Sequence, residues 1–526
     1  MFTRNPRRLA GALFRTTAVI GTALIFSLPA FANDRDNERA SVLSEALHLL
    51  HARHDHGSER QTSQPTPALI PADKLDVDPS GLIETLNANG PTLTKNNAFF
   101  QDLGTNGRTC FTCHQPDQGW GVSATAIQLR FLLSAGTDPI FRPVDGAVCP
   151  TADTSTVGAR VKAYSLLLDR GLIRIGLAIP ANPEFQIVSV SDPYGCNTDP
   201  ATGLTSPTTG MVSVYRRPLP STNLRLLSAV MWDGREGGLQ STVNAPPGQH
   251  SLIDDLSQQA IDATTGHAQA ANPPTAAQVA QIVNFELGLT TAQSYDFRAQ
   301  LLNAKGATGG PAALLQQPFY LGINDPFGLN PAGTPFTTVI FTLYDPWQNL
   351  SGNSVNIARA AVARGQQVFN DTPITITGVA GINDAVNQPV FVGACATCHD
   401  TPNGGDHSVS APLNINIAGA GPDAPPALNT KGLPVFTVSC SVPTFFRPAG
   451  TTFQVTDIGR AMISGKCADV GKTKGPILRG LAGRAPYFHN GGAATLMDAV
   501  NFYDQRFNIG FTAQEKSDLV AFLMTL

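Results

Sequence analysis

The chain contains the pattern Cys-x-x-Cys-His twice, at Cys110-Phe-Thr-Cys113-His114 and at Cys395-Ala-Thr-Cys398-His399. Two cysteines three positions apart face the same side of a helical turn. The next residue brings an imidazole beneath them. Each motif therefore presents two thiols and one nitrogen to a single flat partner. This is the attachment geometry of c-type haem, in which each thiol adds to a vinyl group and the imidazole ligates the iron from one face. Zinc would need a second Cys/His pair beside each motif, and a thioredoxin-like dithiol would need a βαβ setting. Neither is present. Two covalently bound haem c groups are expected, with His114 and His399 as proximal ligands. Any fold for this chain must then enclose two large, flat, apolar groups.

The remaining cysteines fall in two pairs, Cys149 with Cys196 and Cys440 with Cys467. A disulfide is expected within each, because the chain carries an export signal and exported proteins oxidise spare thiols. That signal is residues 1–32. Arg4, Arg7, Arg8 and Arg15 accompany an apolar run that ends in Ala30-Phe31-Ala32, a small-x-small cleavage pattern before Asn33. The run is shorter than the ~20 residues a span requires, and no later segment is long and apolar enough to cross a bilayer. The expectation is a mature protein without a membrane span, placed in the periplasm. The net charge of -4, with no basic run past the N-terminus, excludes a nucleic-acid footprint.

Charged residues make up only 14% of the 526, while Gly (49) and Pro (40) are frequent. This composition implies long irregular loops over a helical framework. Helical periodicity appears in residues 33–56 and in Asn356–Phe369, the latter just before the second motif. Thr275 with Gln278, and Thr512 with Glu515, form capping boxes for two more helices. The loops from Gly306 to Trp347 have no assigned role and are expected to drape over the surface. The fold class is mainly α, an imperfect duplication of helix, loop, haem motif and long loops.

The second axial position separates an electron carrier from an enzyme, since carriers fill both faces and enzymes leave one open. No histidine lies between His114 and His250, and Met211 and Met231 are the only methionines there. The upstream haem is therefore the candidate for an open face, with His250 or His267 as the alternative ligand.

Two further segments, "NLRLLSAVMWDGREGG" (Asn223–Gly238) and "LRGLAGRAPYFHNGGAATLMDAVNFYDQ" (Leu478–Gln505), resemble signature segments of bacterial di-haem cytochrome c peroxidases and the MauG-type enzymes. With the two haem motifs in the same order, the resemblance runs from about Asn96 to Leu526. It implies that Trp232 lies between the haems and relays electrons. "DLSQQAIDATTGHAQ" (Asp255–Gln269) resembles the segment lining the peroxide pocket, and Gln259 matches a family glutamine. The family's catalytic glutamate has no counterpart at its place, but His267 lies nearby and is able to move a proton near neutral pH. Peroxidases carry an axial methionine 14 residues after the histidine of "YFHNG", whereas this chain has Tyr503 there, as MauG-type enzymes do. Rivals for that ligand position are His489, His407 and Met462. The family often binds calcium between its domains. The matching positions are Arg217, Arg484 and Pro486, and an arginine in place of a side-chain oxygen argues against the ion, leaving only backbone carbonyls.

The resemblance thus implies two cytochrome c-like domains, a peroxidatic one over 33–350 and an electron-transfer one over 351–526. Hydrogen peroxide would react at the His114 haem, and a small donor such as cytochrome c or a cupredoxin, or an unknown substrate, would supply electrons. The alternatives are MauG-type oxidation of a protein or organic substrate, a rubber-oxygenase-like dioxygenase, and a pure electron-transfer cytochrome.

Overall fold

The computed structural model describes residues 66–197, 211–236 and 251–526. The export segment, the helical pattern in 33–56 and His250 lie outside the described residues. Among the described residues, no helix is long and apolar enough to cross a membrane.

The framework is helical, as the periodicity implies. The longest helix, Ser354–Asp371, covers the expected Asn356–Phe369. It starts where the Asn353 side chain accepts a hydrogen bond from the Asn356 amide at 2.9 Å, which satisfies one of the free amides of the first turn. Its buried stripe, including Val362, Ala363 and Phe369, packs on the C-terminal helix Ala513–Leu523 through Leu519 and Phe522. The two backbones approach so closely that a Cβ on Gly365 would collide with the carbonyl of Asp518. Both capping boxes form. The Thr275 amide donates to Gln278 at 2.9 Å and the Thr512 amide to Glu515 at 2.8 Å.

Five small sheets accompany the ten α-helices of the described residues. The largest orders Asp73–Val77, Gly81–Asn87, Leu289–Asp296 and Gln300–Leu301 as antiparallel neighbours. Another joins distant parts of the chain. Phe185–Ser191 pairs with Val435–Cys440, placing Val190 opposite Phe436. Alternate residues of Val435–Cys440 turn inward, so Phe436, Val438 and Cys440 are buried. Residues before and after position 350 thus share one sheet. Strands this short, two to eight residues each, leave little period-2 signal in a sequence rich in Gly and Pro.

Both expected disulfides, Cys149–Cys196 and Cys440–Cys467, are formed. Among the described residues the free cysteines are Cys110, Cys113, Cys395 and Cys398. The Gly306–Trp347 stretch departs from the surface role expected of it. It holds a short helix, Pro311–Leu315, and its final part is core, with Phe341, Tyr344 and Trp347 fully buried. Tyr344 stacks on Trp347 at 4.7 Å. Aromatic rings of this size supply apolar surface that a loop would not bury by itself.

Candidate functional site

The two haem motifs have the same local structure. Cys110–Thr112 and Cys395–Thr397 each form one tight 3-10 turn. The threonine hydroxyl of each turn accepts from the amide before it, Thr109 at 2.9 Å and Ala394 at 3.0 Å. The amides of His114 and His399 then close onto the carbonyls of Cys110 (3.1 Å) and Cys395 (3.0 Å).

Six residues further on, each chain turns back to meet its own imidazole. His114 Nδ1 lies 2.9 Å from the Trp120 carbonyl, and His399 Nδ1 lies 2.7 Å from the Gly405 carbonyl. Trp120 (φ 57°) and Gly405 (φ 73°) take left-handed backbone at these turns. A carbonyl only accepts, so Nδ1 donates and the lone pair of Nε2 is left for a metal. Burial pushes the His114 imidazole down to about 4 and lowers that of His399 also, keeping both rings neutral. An aromatic ring backs each one, Phe99 at 6.2 Å from His114 and Phe369 at 6.1 Å from His399.

Each motif opens on its own cavity. The upstream cavity carries Cys110, Cys113 and His114 in its wall. The downstream cavity carries Cys395, Cys398 and His399 among apolar residues such as Ile374, Leu413 and Val500. Free paired thiols, a neutral imidazole with an available Nε2 and a largely apolar wall are the donor set and the environment that a haem c requires. The residues present fit that group at both places.

Trp232 belongs to both walls, as do Lys474 and Pro476. Its indole N–H donates to the Arg217 carbonyl at 2.7 Å, and the Arg217 amide donates to the His489 carbonyl at 2.7 Å. His267, which ends the helix Leu252–Gly266, lines the upstream cavity together with Gln259. Its Nδ1 is 2.5 Å from a carboxylate oxygen of Asp145, whose other oxygen is 2.5 Å from Arg108. Burial alone would raise the Asp145 carboxyl, but the Arg108 charge and the His267 contact outweigh it and hold the group at about 2.

Of the four candidates for the downstream ligand position, Tyr503 and His489 line that cavity and Met462 and His407 do not. Met462 packs in the core formed around Cys440 and Cys467. His407 is buried against Asp400, with Nδ1 3.3 Å from the carboxylate. Tyr503 is part-exposed and lines open space. His489 is 1% exposed, both its ring nitrogens are buried without a hydrogen-bond partner among the described residues, and Nε2 lies 3.7 Å from Asp457.

The candidate calcium position does not fit the ion. The guanidinium of Arg217 donates to the carbonyls of Arg170 (2.7 Å), Val122 (2.5 Å) and Arg484 (2.8 Å). Burial, and then the neighbouring Arg484 charge, lower it to about 9, still cationic near neutral pH. The oxygens are already taken by a positive charge, which would repel a second.

Three residues of the cavities carry chemistry that the sequence reading omitted. Glu286 lines the upstream wall, is 5% exposed, and is pushed up to about 7 by burial. It shares the stripe of Val279, Ile282 and Val283 on the helix Ala276–Gly288, so a carboxyl on an apolar face was the available signal. Lys474 is buried, lowered to about 8 by desolvation, and donates to the Ala229 carbonyl at 2.9 Å. Lys474 and Asp145 lie outside regular elements and had no such signal.

No family model matches the chain. It is 32% identical over 145 residues to cytochrome-c peroxidase IdrP2 of Denitromonas iodatirespirans, covering 26% of this chain and 36% of the relative. It is 34% identical over 139 residues to IdrP2 of Pseudomonas sp. (strain SCT), covering 25% and 35%. Over 69 residues it is 45% identical to the cytochrome c551 peroxidase of Nitrosomonas europaea, covering 13% and 21%. The matched stretch thus spans about a third or less of each of these relatives. A solved structure of a MauG-like protein associated with microbial copper homeostasis is 18% identical, covers 61% of this chain and 75% of its own, and superposes with a TM-score of 0.29. Over those stretches the sequence is similar to bacterial cytochrome c peroxidases.

Proposed function

We propose that this chain is a periplasmic di-haem c-type oxidoreductase that reduces hydrogen peroxide in the upstream cavity, with the downstream cavity as electron relay. The observation that supports it most is the repeated Cys-x-x-Cys-His turn, each copy opening on its own cavity, with Trp232 in both walls. Cys110, Cys113 and His114 would hold one haem, in a cytochrome c-like half over 33–350. Cys395, Cys398 and His399 would hold the other, in a second half over 351–526. When bound, haem c supplies a redox-active iron and a Lewis acid for peroxide.

The chain's own residues do the rest. His114 and His399 offer Nε2 because their Nδ1 protons are committed to carbonyls. His267 and Gln259 are polar groups in the upstream wall, placed to orient peroxide and carry a proton from one oxygen to the other. The overall conversion takes hydrogen peroxide, two protons and two electrons to two waters. A one-electron carrier protein, a small cytochrome c or a cupredoxin, would deliver the electrons, and the Trp232 indole offers the path between the cavities. Tyr503 is assigned as the axial ligand of the downstream haem because it lines that cavity at the position where MauG-type enzymes carry a tyrosine; His489, in the same wall, is its remaining rival.

That tyrosine also favours a second reading, oxidation of a protein or organic substrate as in MauG-type enzymes, since a phenolate stabilises oxidised iron. Stopped-flow peroxide consumption by the oxidised holoprotein, with reduced cytochrome c and separately with an organic reductant, tests both readings. Consumption supported only by the organic reductant selects the second. Two six-coordinate low-spin irons and no consumption at all would leave a pure electron-transfer cytochrome.

A further inference from the structure

We propose that Asp145 is the positioning residue that aims His267 into the upstream cavity, with Arg108 as its anchor. This deepens the peroxide reading of that cavity and rests on it for the substrate, but the test below does not use peroxide.

Asp145 comes from a loop and its side chain is 5% exposed. One oxygen is 2.5 Å from Arg108 Nη1 and the other 2.5 Å from His267 Nδ1. Neither end is loose. Arg108 also donates to the carbonyls of Pro139 (2.8 Å), Ile140 (2.7 Å) and His267 itself (3.2 Å). The Asp145 carbonyl accepts from the Arg174 amide at 2.7 Å. The carboxylate is thus held at two points, and its backbone at a third, beside a ring that is 36% exposed and therefore reachable.

An ionised carboxylate only accepts, so Nδ1 of His267 carries its proton toward Asp145. The other nitrogen, Nε2, makes no hydrogen bond to the described residues. It is left as the ring's free acceptor in a wall shared with Cys110, Cys113 and His114. In peroxide reduction the proton on one oxygen passes to Nε2 and returns to the other oxygen as the O–O bond breaks. That oxygen leaves as water. The donor protein supplies the two electrons and solvent the remaining protons. Asp145 touches none of the reacting atoms and acts only through the imidazole.

Ligand binding separates this role from a merely structural one. Hydrogen cyanide gives up a proton as it binds, so a nearby base accelerates it, whereas imidazole binds without that transfer. Association of each ligand with the upstream haem is followed by stopped flow in the holoprotein. The variants are Asp145→Asn, His267→Gln and the double substitution. In Asp145→Asn the amide oxygen still serves Arg108, but its N–H faces Nδ1 and drives the ring proton to Nε2. Hydrogen cyanide association is expected to fall about 100-fold in either single variant, with imidazole association within about twofold of wild type. The double variant should be no slower than His267→Gln alone.

Unchanged cyanide association in Asp145→Asn overturns the proposal, and so does an equal slowing of both ligands. A loss reproduced by Glu286→Gln but not by His267→Gln assigns the base to Glu286 and overturns it also. In the wild type, ¹⁵N shifts of His267 in the reduced, carbonmonoxy holoprotein report which nitrogen is protonated, whatever the variants do. A neutral ring carrying its proton on Nε2 ends the idea. If the cyanide pattern appears in a protein that does not consume peroxide, the functional reading fails and this one stands.

Discussion

The indole of Trp232 and the imidazole of His489 meet edge to face, with centroids 6.0 Å apart, and a hydrogen-bonded backbone link through Arg217 holds them there. The contact places a redox-capable ring at the partition between two cavities. Trp232→Phe keeps an aromatic ring but removes the indole and its N–H. Inter-haem electron transfer, read by flash photolysis or stopped flow, should slow about tenfold or more, equivalent to about 1.4 kcal/mol of barrier. Both reduction potentials should stay near their wild-type values.

Covalent attachment gives a direct count. Intact-mass spectrometry of the denatured protein should show two prosthetic groups on the chain. Cys110→Ala with Cys113→Ala should leave one, on Cys395 and Cys398, and the corresponding downstream pair of substitutions should leave the other.

The downstream axial ligand is open to spectroscopy. Tyr503→Phe should change the optical and electron-paramagnetic spectrum of the downstream haem, while His489→Gln should leave its axial set intact. The reverse pattern would transfer the assignment to His489.

With the Arg217 guanidinium on three carbonyls, this position should be independent of a bound cation. Addition of a chelator, or of excess calcium, should leave the melting temperature unchanged. Arg217→Ala strips the donors from three carbonyls, and at about 1 kcal/mol or more for each buried acceptor the loss should be on the order of 3 kcal/mol in denaturant unfolding.

Glu286 should make stability fall with rising pH. Its carboxyl is raised by burial from 4.5 to about 7, so the folded state favours the protonated form. The associated stability is fully present below the unfolded value and is lost as pH rises through about 7. Glu286→Gln should therefore stabilise the protein at about pH 8 by about 3 kcal/mol, each pKa unit being worth about 1.4 kcal/mol, and have little effect at about pH 4. Thermal melts at the two pH values check the sign.

The legible parts of this protein were those written in adjacent residues. Cys-x-x-Cys-His fixes its own turn, so both motifs were readable, as were the capping boxes at Thr275 and Thr512 and the apolar stripe of Ser354–Asp371. The cysteine pairs were readable because setting aside the four motif cysteines leaves only four thiols, which fall in two pairs along the chain. Most strands were not, since Phe185–Ser191 and Val435–Cys440 are held by each other and neither carries the pairing in its own pattern. The same holds for the buried end of Gly306–Trp347, whose aromatic residues are core only because the helices at Ser354–Asp371 and Ala513–Leu523 close over them.

The sequence alone determined what each motif is able to bind, because thiols and imidazole at that spacing carry their chemistry with them. Only the tertiary structure decided what faces each motif. Asp145 reaches His267 from 122 positions away, and Arg217 gathers carbonyls from three separate segments. It also separates Tyr503 from its rival Met462, which lie in a cavity wall and in a packed core, respectively. Such choices depend on which surfaces exclude water together, and burial is a property of the assembled chain rather than of any stretch of it.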